Sequence, residues 1–110
     1  MDAALIAACE AFSEGDSHLA MAHIDAAVQW EIVGDHRIIG RDGVEQACTE
    51  AAQAGTPDFT NHRVHAQTDT VIVEGSNCNG DLHYCDIYRI REGRIQTITS
   101  YCLSALEDTP

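Results

Sequence analysis

Apolar residues recur along this chain at two different periods, and the change of period marks its elements. Leu5, Cys9 and Phe12 fall at helical spacing behind Asp2, a good capping residue, and Gly15 offers a C-terminal stop. Asp16 or Ser17 can cap a second, shorter helix through Leu19, Ala22 and His23. Residues 28–33, VQWEIV, are β-rich and end at Gly34-Asp35, and the run to Gly40 reads as a loop. Arg41 to Ala54 is the best-specified helix. Asp42 and Glu45 have capping-box spacing, and Val44, Ala47, Cys48 and Ala51 make one apolar stripe. Gly55 ends it and Pro57 forbids its resumption.

Period two then takes over. Strands are expected at about 58–67, 69–77 and 82–91, followed by one reaching Leu103, with turns at Gln67-Thr68-Asp69, Asn77 to Asp81 and Arg91-Glu92-Gly93-Arg94. The tail, SALEDTP, has little to bury. Helices segregated from a run of strands predict one α+β domain over residues 1–110, with helices on one face of a curved sheet that partly encloses an apolar pocket.

The candidate chemistry sits in the last hairpin. A strand's alternation puts Asp86 on one face with Leu82, Tyr84, Tyr88 and Ile90, where a carboxylate is costly unless paired, neutralised or used. Desolvation there raises its pKa and suits it to holding or moving a proton. The structural alternative is a carboxylate held by a tyrosine or by Arg63.

Composition removes other classes. The formal net charge is −12, from eighteen acidic residues against six arginines with no lysine, so no cationic face can be drawn for nucleic acid. Five cysteines without a C-x-x-C pair read as reduced thiols of a cytoplasmic protein. No apolar run approaches the roughly 20 residues of a membrane span. His62 and His65, three apart on an expected strand, should face opposite ways, and no metal-ligand pattern appears among the six histidines. No glycine-rich phosphate loop follows a strand, so no nucleotide cofactor and no metal are expected.

Three stretches carry a family likeness: Phe12-Ser-Glu-Gly-Asp16, Trp30…Gly34…Ile39-Gly40-Arg41, and Cys85-Asp-Ile-Tyr-Arg-Ile-Arg-Glu-Gly-Arg-Ile95 followed by Tyr101. Together with the element order they resemble the SnoaL-like proteins of the nuclear-transport-factor-2-like superfamily, which holds ketosteroid isomerases, limonene epoxide hydrolases, scytalone dehydratases and polyketide cyclases. The resemblance implies a cone: a strongly curved, mostly antiparallel sheet wrapped on three helices around an apolar pocket, usually in a homodimer. It implies a small apolar polyketide-, terpene- or steroid-like molecule as partner, and acid–base chemistry without a cofactor. The alternatives are a non-catalytic binding or dimerisation module and an epoxide hydrolase.

By the same resemblance, Glu31 takes the place of the isomerase's general-base aspartate, three residues before Gly34 and nine before Gly40. Asp86, two residues before Tyr88, takes the place of its protonated aspartic acid. Asp86 and Glu31 are thus the catalytic candidates. Trp30, His36, Tyr84, Tyr88 and Tyr101 are the substrate-binding candidates. The isomerase's oxyanion-hole tyrosine is replaced by Ala8, so Tyr84, Tyr88 or Tyr101 would have to supply that donor.

Overall fold

Asp2 opens the first helix by accepting the Ala4 amide on its carboxylate at 3.0 Å. In the computed structural model, which describes residues 1–55 and 58–104, this helix is α1, Ala3–Ser13. It buries Leu5, Ala8, Cys9, Phe12 and Ser13 as one stripe, and Gly15 at φ 95° lets the chain turn away. A single turn, α2 (His18–Met21), follows; its N-cap is Ser17, and Asp16, one residue earlier, accepts the His18 amide at 3.2 Å. Then come β1 (Ile24–Ile32), β2 (His36–Ile39), α3 (Arg41–Ala54), β3 (Phe59–Ala66), β4 (Thr70–Asn77), β5 (Leu82–Arg91) and β6 (Arg94–Ser104). The expectations for Pro57 and for the tail beyond Ser104 lie outside the described residues.

The strands form one six-stranded sheet in the order β2-β1-β6-β5-β4-β3. Four consecutive strands, β3 to β6, make the expected antiparallel meander. The β5–β6 turn has positive φ at both Glu92 and Gly93, the backbone hand that suits a two-residue hairpin. Among the described strands only β1 and β6 run parallel, with Trp30 opposite Ile98 and Glu31 opposite Thr99. Irregular register in β1, β3 and the β5–β6 pair bends the strands, and the sheet curves without closing. The fold is α+β, as its periods imply.

Three local expectations change. The segment 36–39 is a strand, because pairing with β1 supplies the backbone partners that four residues between turns cannot supply alone. β1 begins at Ile24 rather than Val28: Ile24 pairs with Ile95, whose amide donates to the His23 carbonyl at 2.7 Å, so tertiary pairing recruits the alanine-rich lead-in. Asp42 does not cap α3. The cap is Gly40 at φ 88°, pinned to β1 by its amide on the Val28 carbonyl at 2.7 Å.

Leu5, Cys9 and Phe12 from α1 and Val44 from α3 pack with Val28, Val71, Val73, Tyr88, Ile95 and Ile98 in the core on one face of the sheet. The other face carries no described helix. The bulge at His62 shifts the expected alternation of β3. His62 reaches Ser76 at 2.8 Å and His65 reaches Glu74 at 3.5 Å, and both partners share the outer face of β4.

Candidate functional site

Period-two register brings a carboxyl, two hydroxyls and an indole together on the helix-facing side. Asp86 on β5 lies opposite Ser100 on β6, and Tyr88 lies opposite Ile98. In the parallel β1–β6 pair Trp30 sits beside Ile98, so its indole N–H reaches one step along and donates to Ser100 Oγ at 2.8 Å. Phe12 is wedged between the two aromatic walls, edge-on to Trp30 at 5.1 Å and to Tyr88 at 6.1 Å. That wedge sets the next residue. Ser13 ends α1 with its Oγ 2.6 Å from Tyr88 Oη, and the Ser13 and Ser100 hydroxyls lie close enough to the Asp86 carboxyl to stabilise its charge.

Asp86 is 8% exposed. Burial raises its pKa above the ordinary aspartate range, and the Ser100 and Ser13 hydroxyls partly offset the rise by stabilising the charge. Tyr88 is wholly buried; burial first, and then the Asp86 charge, push its phenol well above its ordinary range. Tyr88 therefore keeps its proton, and its phenol and the Ser13 hydroxyl share one hydrogen bond. No buried side-chain nitrogen or oxygen among the described residues is left without a partner.

Beside this cluster a cavity of about 180 Å³ opens between α1, α3 and the sheet. Its walls are apolar: Phe12, Trp30, Phe59, and the small residues Ala47, Cys48, Ala51 and Ala52 of α3. The stripe on α3 thus leaves room, with Val44 the one α3 residue that is fully buried. Ser13 and Ser17 are its hydroxyl-bearing wall residues. Asp86 is not among the lining residues; it lies against Ser13.

The other candidates separate. Trp30 lines the cavity. Tyr84 is buried on the same sheet face, but its hydroxyl donates to Asn61 Oδ1 at 2.7 Å and its ring tilts against Phe59 at 4.9 Å. Burial, more than the charges of Glu14 and Asp86, raises its pKa. Tyr101 pairs with Cys85 on the outer face and is 44% exposed. His36 lies exposed at the β1–β2 turn, 3.2 Å from Asp35, in a surface hollow apart from the cavity.

Glu31 requires the firmest correction. Pairing with Thr99 puts it on the face opposite Ser100, and therefore opposite Asp86. Its side chain is 49% exposed and lies 3.8 Å from Arg37. The two carboxyls cannot act on one ligand atom through the sheet. Arg63 pairs with Glu74 on that outer face too, so it does not hold Asp86. Ala8 is buried in the core and offers no donor.

The sequence pattern does not mark Ser13, Phe59 or the small-residue wall as site residues. The α3 stripe was the available signal, because alanines facing a core leave volume that larger residues would fill. Among the described residues no group of three or more His, Cys, Asp or Glu side chains is placed to hold a metal. No described helix is long and apolar enough to cross a membrane.

A curved open sheet, three helices packed on one face and a cavity between them define the NTF2-like class of α+β proteins. The chain belongs to the SnoaL-like domain family, whose profile matches residues 5–98. An NTF2-like protein of unknown function from Cytophaga hutchinsonii is similar to it, with TM-score 0.82 and 28% identity over 94% of this chain and 99% of that one. A second such protein, from Burkholderia xenovorans, has TM-score 0.74 and 24% identity, covering 96% and 84%. An LEH-like epoxide hydrolase of M. tuberculosis shares the fold at TM-score 0.63 and 23% identity, covering 91% and 83%. No functionally curated protein matches the sequence.

Proposed function

We propose that this chain takes a small apolar molecule bearing a carbonyl into the cavity and catalyses proton transfer beside that carbonyl, with Asp86 as the carboxyl that stores the proton. The carrying observation is a buried carboxyl of raised pKa, opposite Ser100 and beside the Ser13–Tyr88 hydrogen bond, at an apolar cavity that Ser13 lines. The fold family supports the reading, since it includes isomerase-, cyclase- and epoxide hydrolase-like members. Cavity size narrows the substrate. A dry cavity of roughly 150 Å³ accommodates benzene, so about 180 Å³ suits a single ring better than a fused steroid.

The test is deuterium exchange at the α-carbon of cyclohexanone in D2O, followed by NMR for wild type and Asp86→Asn. Exchange above the buffer rate in wild type, lost in the variant, supports the reading; exchange equal to buffer in both ends it.

The outer-face position of Glu31 favours a second reading, a binding module without turnover, because the second carboxyl is absent from the cavity. Tight, unreactive binding, equal in both proteins, is its signature. Epoxide opening is less supported: Arg89 pairs with Thr97 on the outer face, away from Asp86. A homodimer through that outer face, where Tyr101 and Leu103 are exposed, belongs to the reading. Light scattering should then show Tyr101→Asp as a monomer, and a wild-type monomer would end that part.

A further inference from the structure

Asp86 faces a problem of reach. It does not line the cavity, whereas Ser13 does, and Ser13 lies between the cavity and the carboxyl. The donors around Asp86 form two chains of one direction. Trp30 N–H donates to Ser100, whose own O–H is thereby left to turn toward the carboxylate opposite it. The Tyr88 and Ser13 hydroxyls share a hydrogen bond; with Tyr88, the stronger acid of the two, as its donor, the Ser13 O–H is free to turn toward the carboxylate as well. With Asp86 ionised, every proton in the cluster points inward. Ser13 Oγ then keeps one lone pair to offer to the cavity that this residue lines.

We propose that Ser13 is the group that touches the ligand and passes protons between the cavity and Asp86. This rests on the cavity being the proton-transfer site proposed above. In the forward step an α-C–H bond of the ligand breaks, its electron pair stays on the ligand as an enolate, and the proton bonds to Ser13 Oγ. In the same step the original Ser13 proton moves to Asp86. The carboxylic acid then donates to Ser13, and the newly acquired Ser13 proton faces the cavity, where it hydrogen-bonds the enolate or returns to another of its carbons. On return the Asp86 proton passes back to Ser13, so the protein ends as it began and needs no co-reactant. Tyr88 keeps its proton throughout and holds Ser13 in place, which makes it a positioning residue.

The cycle ties cavity polarity to Asp86. While Asp86 is ionised the cavity meets a lone pair, and once Asp86 is protonated it meets an O–H donor. A ligand that accepts a hydrogen bond must therefore bind better as Asp86 becomes protonated, and an isosteric hydrocarbon must not. Other titratable groups around the cluster are Tyr84 and Tyr88 on β5, Cys9 on α1, Cys48 on α3 and Cys102 on β6. Each has its pKa raised, burial being the first cause, so each stays protonated across the acid range. Glu14 is exposed and turned to the Asn61 amide at 2.8 Å, and Glu14→Gln controls for it.

The experiment measures binding of cyclohexanone and of methylenecyclohexane, which replaces C=O by C=CH2, between pH 4 and 8. In wild type and Glu14→Gln the ketone should weaken about 2- to 10-fold as Asp86 ionises, the worth of one neutral hydrogen bond, while the hydrocarbon stays level. Ser13→Ala should lose the ketone's pH dependence with hydrocarbon affinity intact, and Ser13→Thr, which keeps a hydroxyl, should retain it. A ketone affinity independent of pH in wild type, a pH dependence that survives in Ser13→Ala, or no binding of either molecule overturns the proposal. Exchange kinetics separate it from the function on which it rests. Full deuterium exchange in Ser13→Ala with loss only in Asp86→Asn overturns the relay and leaves the function. Coupled binding without exchange in wild type supports the Ser13–Asp86 coupling and overturns the function.

Discussion

Trp30 Nε1 donates to Ser100 Oγ at 2.8 Å across the parallel β1–β6 pair, tying the cavity wall to the residue directly opposite Asp86. Ser100 thus accepts from the indole and keeps its own O–H to stabilise the Asp86 charge. Ser100→Ala removes both roles and leaves a partly buried indole N–H unpaired. The expected cost is about 1–3 kcal/mol of stability, read by urea denaturation. Losing a donor to the carboxylate also raises the Asp86 pKa further, which carboxyl infrared titration reads. Unchanged stability together with an unchanged titration would show that the hydroxyl is a bystander.

The raised pKa of Asp86 has a definite sign in stability. The folded state holds this proton to higher pH than the unfolded chain, whose aspartate titrates near ~3.9. Between that value and the folded pKa the native state binds more protons, so stability falls as pH rises through the window. Asp86→Asn lacks this term. Stability of the variant minus that of wild type should rise with pH from about 4 until Asp86 is ionised in the fold, and level off beyond. A difference flat across the acid range would contradict a desolvated carboxyl.

Asp86 is legible in the sequence because a single carboxylate in a strand of alternating aromatics has only one face to occupy, whatever its partners are. Glu31 is not legible in the same way. The side it takes is set by register with β6, roughly seventy positions away, and a one-residue slip exchanges the faces. The parity of His62 fails for the related reason that a bulge is a tertiary event. Ser13 is the hardest to see: a serine at a helix end is ordinary, and it acquires meaning only from Tyr88, 75 residues on. The element order survives better. Helix stripes, glycine stops and the charged hairpin turn are local, whereas the edge strand β2 exists only because β1 offers it partners.

Gly75 is a packing prediction of a different kind. A Cβ there would run into the Thr60 carbonyl and the Tyr84 phenol, which lies over it. Backbone on one side and a hydrogen-bonded ring on the other leave little room to yield. Gly75→Ala should therefore cost about 1–3 kcal/mol and break the Tyr84–Asn61 bond, visible as a change in tyrosine near-ultraviolet dichroism. A fully stable variant with an unchanged spectrum would show that the β3–β4 edge adapts.

Cys48 can report on the cavity directly. Its thiol lines the wall beside Ala47 and Ala51, and burial raises its pKa while a hydrogen bond with Ser17 lowers it. Cys9 is buried, with its thiol pushed up to about 12, and Cys78 and Cys102 are exposed. At pH 8, N-ethylmaleimide should modify Cys78 and Cys102 first, Cys48 more slowly and Cys9 only on unfolding, with each site followed by mass spectrometry. Saturating cyclohexanone should slow Cys48 further without slowing Cys78, because a bound ring fills the approach to the wall. The Cys48 adduct should in turn block ring binding, since a maleimide ring is itself comparable to the cavity in size. If Cys48 reacts as fast as Cys78, with or without the ketone, the cavity is not where a ligand sits.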